Sequence, residues 1–188
     1  MEISTDIRKL FKPIQPTIKI SDEEVTYDEV LPNLGLQNII YCYWQLKTKE
    51  TLSTPFYYRV DADGCIDIFF ELDKPEENFV MGFCKKFTEF PLAHSFNYIG
   101  VRFLPTMFTQ LFKIDASEIS NRFESLALVV PSMAHFISDN LHSGQKLELI
   151  KEKFDTYFLE LVKKSTFDDD NRLYGALEII LLRSGVLD

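Results

Sequence analysis

Cysteine is scarce in this chain of 188 residues, and its three copies have no paired spacing. Cys42, Cys65 and Cys84 each lie in an apolar stretch, where a cysteine behaves as a small hydrophobic residue. No Cys-x-x-Cys motif or apolar signal segment occurs, and no apolar run approaches the roughly 18 residues of a membrane span. These absences predict a reduced, soluble protein of the cytoplasm that does not insert into a membrane.

Histidine is equally scarce, and no metal site is predicted. His94, His135 and His142 form no His-x-His pair followed by a glutamate. The chain also lacks the glycine-rich motifs that hold phosphates and the Gly-x-Ser-x-Gly motif of hydrolases. We therefore predict a protein that is not an enzyme and uses no cofactor, with a small cupin-type enzyme that has lost its metal histidines as the less favoured alternative.

The chain has no excess of basic residues. It carries 20 Lys and Arg against 29 Asp and Glu, a net charge of −9. An acidic chain repels the phosphate backbone of nucleic acids, so tight DNA binding by this chain alone is not expected. A solvated acidic surface that keeps the protein soluble is sufficient to explain the charge.

Aromatic residues are abundant, with 17 Phe, and the first two thirds of the chain has the pattern of short strands. The clearest signal is Asp63-Gly64, typical of a type I′ hairpin turn, within the stretch Phe56–Leu72. Pairing outward from this turn predicts one face with Tyr58, Val60, Cys65, Asp67 and Phe69, and another with Tyr57, Arg59, Ile66, Ile68 and Phe70. Each face is apolar with one charge, so both are expected to be covered.

Three further strands are predicted from β-branched and aromatic runs, at Ile39–Leu46, Phe79–Cys84 and Phe96–Leu104. Gly82 within the second run indicates a bulge or a close backbone approach. Pro91 is expected to break the connection that precedes the third run.

After Pro105 the pattern becomes helical. Asp115 has the spacing of a capping box with Glu118, which predicts a short helix, and Pro131 precedes another that ends near Gly144. An amphipathic helix is predicted over residues 145–164 from the stripe Leu147, Ile150, Phe154, Phe158 and Leu161. A last apolar helix is expected over residues 172–184, with Gly185 as its stop signal. It either folds back onto the domain or continues into a longer natural protein.

In this order, the pieces resemble the amino-terminal regulatory domain of AraC-family transcription regulators. The similarity covers about residues 32–130 and rests on the aromatic strand Leu36–Leu46, the Asp63-Gly64 turn with Asp67, then Gly82, then Gly100-Val-Arg102-Phe103-x-Pro105. Members of the family usually have a glycine-rich turn after the last motif, whereas this chain has Thr106-Met107-Phe108, so the geometry of that loop is left open.

The resemblance implies an α+β fold, with a cupin-like β-barrel or sandwich in the N-terminal two thirds and helices after it. It divides the chain into a barrel-like sensor domain at 1–130, a helical dimerisation and linker segment at 131–165, and at 166–188 a linker with the start of a truncated helix-turn-helix domain. The implied function is that of an effector-sensing, dimerising module of a transcription factor that binds DNA only through a part missing from this chain.

Candidate site residues follow from burial. Asp67 and Arg102 both lie in apolar strands, where an isolated charge is costly, so we expect them to pair, either to fix strand register or to anchor a ligand. Together with them, four aromatic residues are candidates for lining a small-molecule effector cavity or for filling the core: Tyr43, Trp44, Tyr58 and Phe69.

The stripe Leu147, Ile150, Phe154, Phe158 and Leu161 is expected either to pack on its own domain or to form a homodimer seam, since paired DNA half-sites need two readers. A purely structural dimerisation or interaction domain, with a filled barrel and no ligand, is the alternative function.

Overall fold

The computed structural model describes residues 7–12, 24–60, 64–167 and 171–183. Within these residues the strands β1 to β8 are Val25–Val30, Ile40–Thr48, Phe56–Val60, Ile66–Glu71, Asn78–Met81, Thr88–Leu92, Asn97–Phe103 and Phe123–Ser125. The helices α1 to α7 are Ile7–Leu10, Met107–Phe112, Ala116–Ile119, Leu126–Val129, Pro131–Asn140, Leu147–Lys164 and Asn171–Leu182, and a 3₁₀ turn covers Leu34–Leu36. The predicted α+β class is confirmed, with a sheet-rich N-terminal part and helices in the C-terminal part.

The described strands form two antiparallel sheets. The large sheet has the strand order β1-β2-β7-β4-β5-β8, and the small sheet consists of β3 and β6. The predicted strands at 39–46, 79–84 and 96–104 correspond to β2, β5 and β7. All of their pairings are antiparallel. Because a β-strand is pleated, consecutive side chains point alternately to the two faces of the sheet.

The hairpin predicted around the Asp63-Gly64 turn is wrong. β3 pairs with β6, and β4 lies between β5 and β7 with both of its edges occupied. Gly64 has the positive φ of 77° that the turn signal indicates, while residues 61–63 lie outside the described residues. The signal therefore marks a connection between strands of two different sheets, because turn chemistry fixes the local bend and not the partner of each strand.

The predicted division of side chains between two faces nevertheless agrees with the structure in β4. Asp67 and Phe69 face the small sheet, whereas Ile68 and Phe70 face the helices and are fully buried. In β3 only Tyr58 is buried, and Tyr57 on the outer side is 59% exposed. The expectation that both faces are covered is thus right for β4 and wrong for β3, because β3 belongs to the outermost layer.

Pro91 does not break a connection but lies inside β6. Proline has no backbone N–H group to donate. A central strand forms hydrogen bonds with neighbours on both sides, so proline is tolerated in edge strands and not in central ones. Both strands of a two-stranded sheet are edge strands, and β6 is one of them.

The helices α5 and α6 cover the face of the large sheet that points away from the small sheet. Phe154 of α6 stacks on Tyr43 of β2 at 5.3 Å between ring centroids, and Phe158 meets Phe103 of β7 edge-on at 5.6 Å. Met133 of α5 is fully buried in the same core. The segment predicted as a separate helical region, residues 131–165, therefore shares its hydrophobic core with the sheet.

The helix predicted after Asp115 is confirmed as α3. The Asp115 carboxylate accepts a hydrogen bond of 2.8 Å from the backbone N–H of Ser117, which caps the helix. This bond also holds the pKa of Asp115 below its ordinary value, since it stabilises the charged form. The predicted helices before Gly144 and at 145–164 are confirmed as α5 and α6.

Four of the five stripe residues on α6 belong to the chain's own core, which corrects the prediction of a dimer seam at those four positions. Leu147, Ile150, Phe154 and Phe158 are at most 6% exposed, and Leu161 is partly buried against the same cluster. Side chains that are already buried within one chain cannot contact a second copy of it. A homodimer through another face stays a prediction.

The last predicted helix is confirmed as α7. Tyr174 and Leu177 are buried in the main core, which also contains Ile7 of α1. The other side of α7 is open, with Ile179 52% and Leu182 64% exposed. The predicted stop at Gly185 lies outside the described residues.

Candidate functional site

A cavity of about 180 Å³ lies between the small sheet and the large one. Its wall comes from seven strands, β2 to β8, because the inward positions of both sheets face this space. The lining residues are Trp44, Leu46, Tyr58, Val60, Asp67, Phe69, Phe79, Met81, Phe90, Pro91, Leu92, Tyr98 and Phe123. The cavity wall is thus mostly aromatic and aliphatic, with one carboxylate.

Aromatic rings in contact with one another form most of this wall. Trp44 lies 6.2 Å from Tyr58 across the two sheets and 6.4 Å from Phe69 along the large sheet. At the far edge, Phe123 stacks on Phe79 at 4.7 Å and meets Phe90 of the small sheet at 5.7 Å. Such ring pairs are each worth about 0.5–1.5 kcal/mol beyond their buried area, so the wall holds its shape.

Gly100 makes room for the Trp44 indole. The two residues are directly paired between β2 and β7. A Cβ atom at Gly100 would lie 2.0 Å from Cε2 of Trp44, so only glycine lets the ring lie against the strand. The indole N–H of Trp44 is buried and finds no acceptor among the described residues.

Asp67 and Arg102 form a buried ion pair at one end of the cavity, as predicted. They are directly opposite each other in the β4–β7 ladder. Nη2 of Arg102 donates to Oδ2 of Asp67 at 2.9 Å, and Nε donates to Oδ1 at 3.1 Å. Arg102 is 2% exposed and Asp67 7%. Removing one partner of such a pair costs about 3–5 kcal/mol, because the remaining charge stays buried.

Comparison with known proteins gives a family for this region. A family model described as "Domain of unknown function (DUF6597)" matches residues 28–125, more than half of the chain. The chain belongs to the DUF6597 family. No curated protein and no solved structure matches the chain. The DUF6597 region contains every residue that lines the cavity.

The structure brings four of the six predicted ligand-binding residues to the cavity of the DUF6597 domain. Trp44, Tyr58, Asp67 and Phe69 line it. Arg102 lies behind Asp67 and reaches a narrow recess of about 10 Å³ beside it. The structure thus shows where these side chains lie, and their role in ligand binding stays a prediction.

Tyr43 is the exception, and its assignment to the cavity is corrected. Neighbouring residues in a strand point to opposite faces, so Tyr43 faces the helices when Trp44 faces the cavity. Its hydroxyl donates to Oδ1 of Asp155 on α6 at 2.9 Å, and the backbone N–H of Asn33 donates to the same oxygen at 2.9 Å. Burial, reinforced by the Asp155 charge, raises the pKa of Tyr43 above its ordinary value. Tyr43 therefore connects the large sheet to α6.

The sequence reasoning missed most of the aliphatic part of the cavity wall and four of its aromatic rings. Phe79, Phe90 and Phe123 come from β5, β6 and β8, and the last two strands were not predicted. The fourth ring, Tyr98, lies four residues before Arg102 in β7 and therefore on the same side of that strand, and this alternation was a usable signal for the cavity face. Nothing local in the sequence indicates β8, because it is only three residues long.

The described part of the DUF6597 chain contains neither a metal-binding cluster nor a membrane-spanning helix. No cluster of three or more His, Cys, Asp or Glu side chains there is arranged to hold a metal ion. None of the described helices combines the length and the apolar character needed to cross a bilayer. His94 contacts the backbone carbonyl of Leu52 at 2.8 Å through Nδ1.

Proposed function

We propose that this chain is the effector-sensing domain of an AraC-type transcription regulator, and that the cavity between its sheets binds the effector. The ordered motifs of the sequence support this proposal, and DUF6597 domains are known in AraC-like regulators. We further propose that the two facing antiparallel sheets are an open variant of the cupin-like architecture. The aromatic-lined space between them supports that assignment.

The observation that carries the proposal is the cavity itself. Protein interiors are packed to crystal-like density, and voids larger than a water molecule are few. A space of about 180 Å³ lined by Trp44, Tyr58 and Phe69 departs from that rule. The alternative function, an interaction domain that binds no ligand, calls for a filled interior and so does not account for this space.

The sheet offers a direct connection from the cavity to the helices. Two strands each carry a pair of neighbouring aromatic residues, with one ring toward the cavity and the next toward α6. In β2 these are Trp44 and Tyr43, and in β4 they are Phe69 and Phe70. Both helix-side rings contact Phe154, at 5.3 and 6.4 Å. An effector that shifts Trp44 or Phe69 therefore acts on α6 through the backbone of the same strand.

Regulation in this proposal requires that the effector binds one arrangement of sheet and helices more tightly than another. The signal then passes from α6 to a DNA-binding part outside this chain, and the regulator acts as a homodimer on paired half-sites. The net charge of −9 supports a division of labour in which another part contacts DNA.

The proposal is tested with a metabolite screen read by two signals. Trp44 is the only tryptophan and lies in the cavity wall, so a ligand that enters the cavity changes its fluorescence. A ligand present at 100 times its Kd adds about 2.7 kcal/mol of stability, and the melting temperature rises accordingly. We expect at least one metabolite to give both signals and to change the affinity of the full-length regulator for its promoter. A ligand that gives both signals without changing DNA binding would refute the regulatory role, and a screen without any such ligand would favour the interaction domain.

A further inference from the structure

The polar groups on the cavity wall define what a ligand must offer, given the proposed function. Asp67 supplies a carboxylate with about four acceptor sites. Arg102 occupies three of them, with Nε at 3.1 and 3.3 Å from the two oxygens and Nη2 at 2.9 Å from Oδ2. An acceptor site is left on a side chain that lines the cavity, and it requires a hydrogen-bond donor on the ligand.

The charge of the ligand is constrained by the same pair. The charge that Asp67 brings to the cavity wall is already paired with Arg102, so it is not available to balance a charge on the ligand. The rest of the wall is apolar, and an unpaired charge buried there is costly. A carboxylate would in addition approach the carboxylate of Asp67. These conditions select a neutral ligand.

The size and the wall select one aromatic ring. A dry apolar cavity of about 150 Å³ is sufficient to bind benzene. The cavity here, at about 180 Å³, has room for a single ring with a small substituent. The rings of Trp44, Tyr58 and Phe69 offer stacked and edge-on contacts to such a ligand.

We propose that the cavity binds a neutral single-ring aromatic molecule carrying a hydroxyl group, that is, a phenol, and that the hydroxyl donates a hydrogen bond to Asp67.

Four probes of similar size separate the contributions of the ring, the hydrogen-bond donor and the ligand charge to binding. Their affinities are measured by calorimetry. p-Cresol has the ring and the donor, 4-methylanisole keeps the oxygen without the donor, toluene has the ring alone, and p-toluate replaces the hydroxyl by a carboxylate. Hydrogen bonds to charged groups are among the stronger ones, so p-cresol should bind at least about tenfold more tightly than the other three. Equal affinities of p-cresol, 4-methylanisole and toluene, or tightest binding of p-toluate, would overturn the inference.

A pair of variants places the binding in the cavity. Val60→Phe on β3 fills part of the space and should weaken p-cresol binding at least about tenfold. Tyr57→Phe on the outer face of the same strand is the control, since Tyr57 is 59% exposed, and it should bind like the unaltered protein. Unchanged binding by Val60→Phe would overturn the site. If Val60→Phe does not fold, the comparison of the four probes on the unaltered protein decides whether the cavity prefers a phenol.

The outcomes separate this inference from the proposed function. If the probes bind and quench Trp44 without a preference for p-cresol, the phenol class is wrong and the sensing cavity stands. If none of the four binds, the phenol class is also wrong, and the sensing function then depends on the metabolite screen alone.

Discussion

Replacing Gly100 by alanine is the most direct test of how the cavity wall is built. The new Cβ would lie 2.0 Å from Cε2, 2.2 Å from Cζ2 and 2.5 Å from Nε1 of Trp44. Carbon atoms in contact prefer a separation of about 3.5–4.0 Å, so the indole must move by about 1.5 Å or more. The ring is rigid, and the cavity that it lines offers space for it to move into.

The cost of this movement is estimated from overpacking. Extra methyl groups in a packed core typically cost about 1–3 kcal/mol. We expect Gly100→Ala to fall within this range, because the cavity accepts the displaced ring and the strand need not separate. In a protein of this size, about 2–4 °C of melting temperature is lost per kcal/mol. Trp44 emission should change as well, since the ring enters a different environment.

Urea denaturation and the emission spectrum of Trp44 measure both effects. The matched control is Gly175→Ala in α7, where an added Cβ meets nothing within 4 Å. Alanine at that helical position should stabilise the protein by about 0.5–1 kcal/mol. If Gly100→Ala unfolds at the same urea concentration as the unaltered protein and keeps its emission spectrum, the proposed contact between Gly100 and Trp44 is refuted.

Three further predictions concern other parts of the fold. Gly82→Ala would bring a Cβ to 1.8 Å from the backbone oxygen of Ile119, which no side-chain rotation relieves, so it should destabilise the protein in urea more than Gly100→Ala; a smaller loss contradicts the contact. Lys113 ends α2 with φ at 57°, so Lys113→Gly should be about 1 kcal/mol more stable than Lys113→Ala, and equal melting temperatures would count against left-handed strain. Burial raises the pKa of Glu71, so the folded state holds this proton more tightly and stability falls as pH rises from the ordinary value of 4.5 through the raised one. Glu71→Gln should lose that part of the pH slope, and identical slopes in urea denaturation would argue against it.

The ion pair shows what the sequence predicts well. Asp67 and Arg102 are single charges of opposite sign within apolar strands. A buried charge without a partner is costly, so pairing of the two was expected. That reasoning needs only strand periodicity and the cost of a buried charge. It therefore holds although the predicted pairing of β3 with β4 is wrong, since Asp67 and Arg102 meet across β4 and β7.

Strand partners and the empty space could not be predicted in the same way. The Asp63-Gly64 turn favours a hairpin in every local respect, but β4 takes β5 and β7 as neighbours, and these pairings depend on residues far apart in the chain. The cavity depends on how far the small sheet stands from the large one, which no local pattern encodes. The side of the sheet on which Tyr43 lies, by contrast, could have been predicted, because neighbouring residues in β2 point to opposite faces.

The space between the sheets is not explained by a shortage of large side chains, since the chain has 17 Phe. The side chains that line this space of about 180 Å³ leave apolar surface uncovered, whereas a large apolar side chain that is fully buried contributes about 1.5–3 kcal/mol. The chain also keeps a glycine in the middle of β7, which weakens a strand, where alanine would push Trp44 toward the gap. A ligand that fills the space would cover that apolar surface, so occupancy and stability are linked, and this link is the physical basis of the sensing role that we propose.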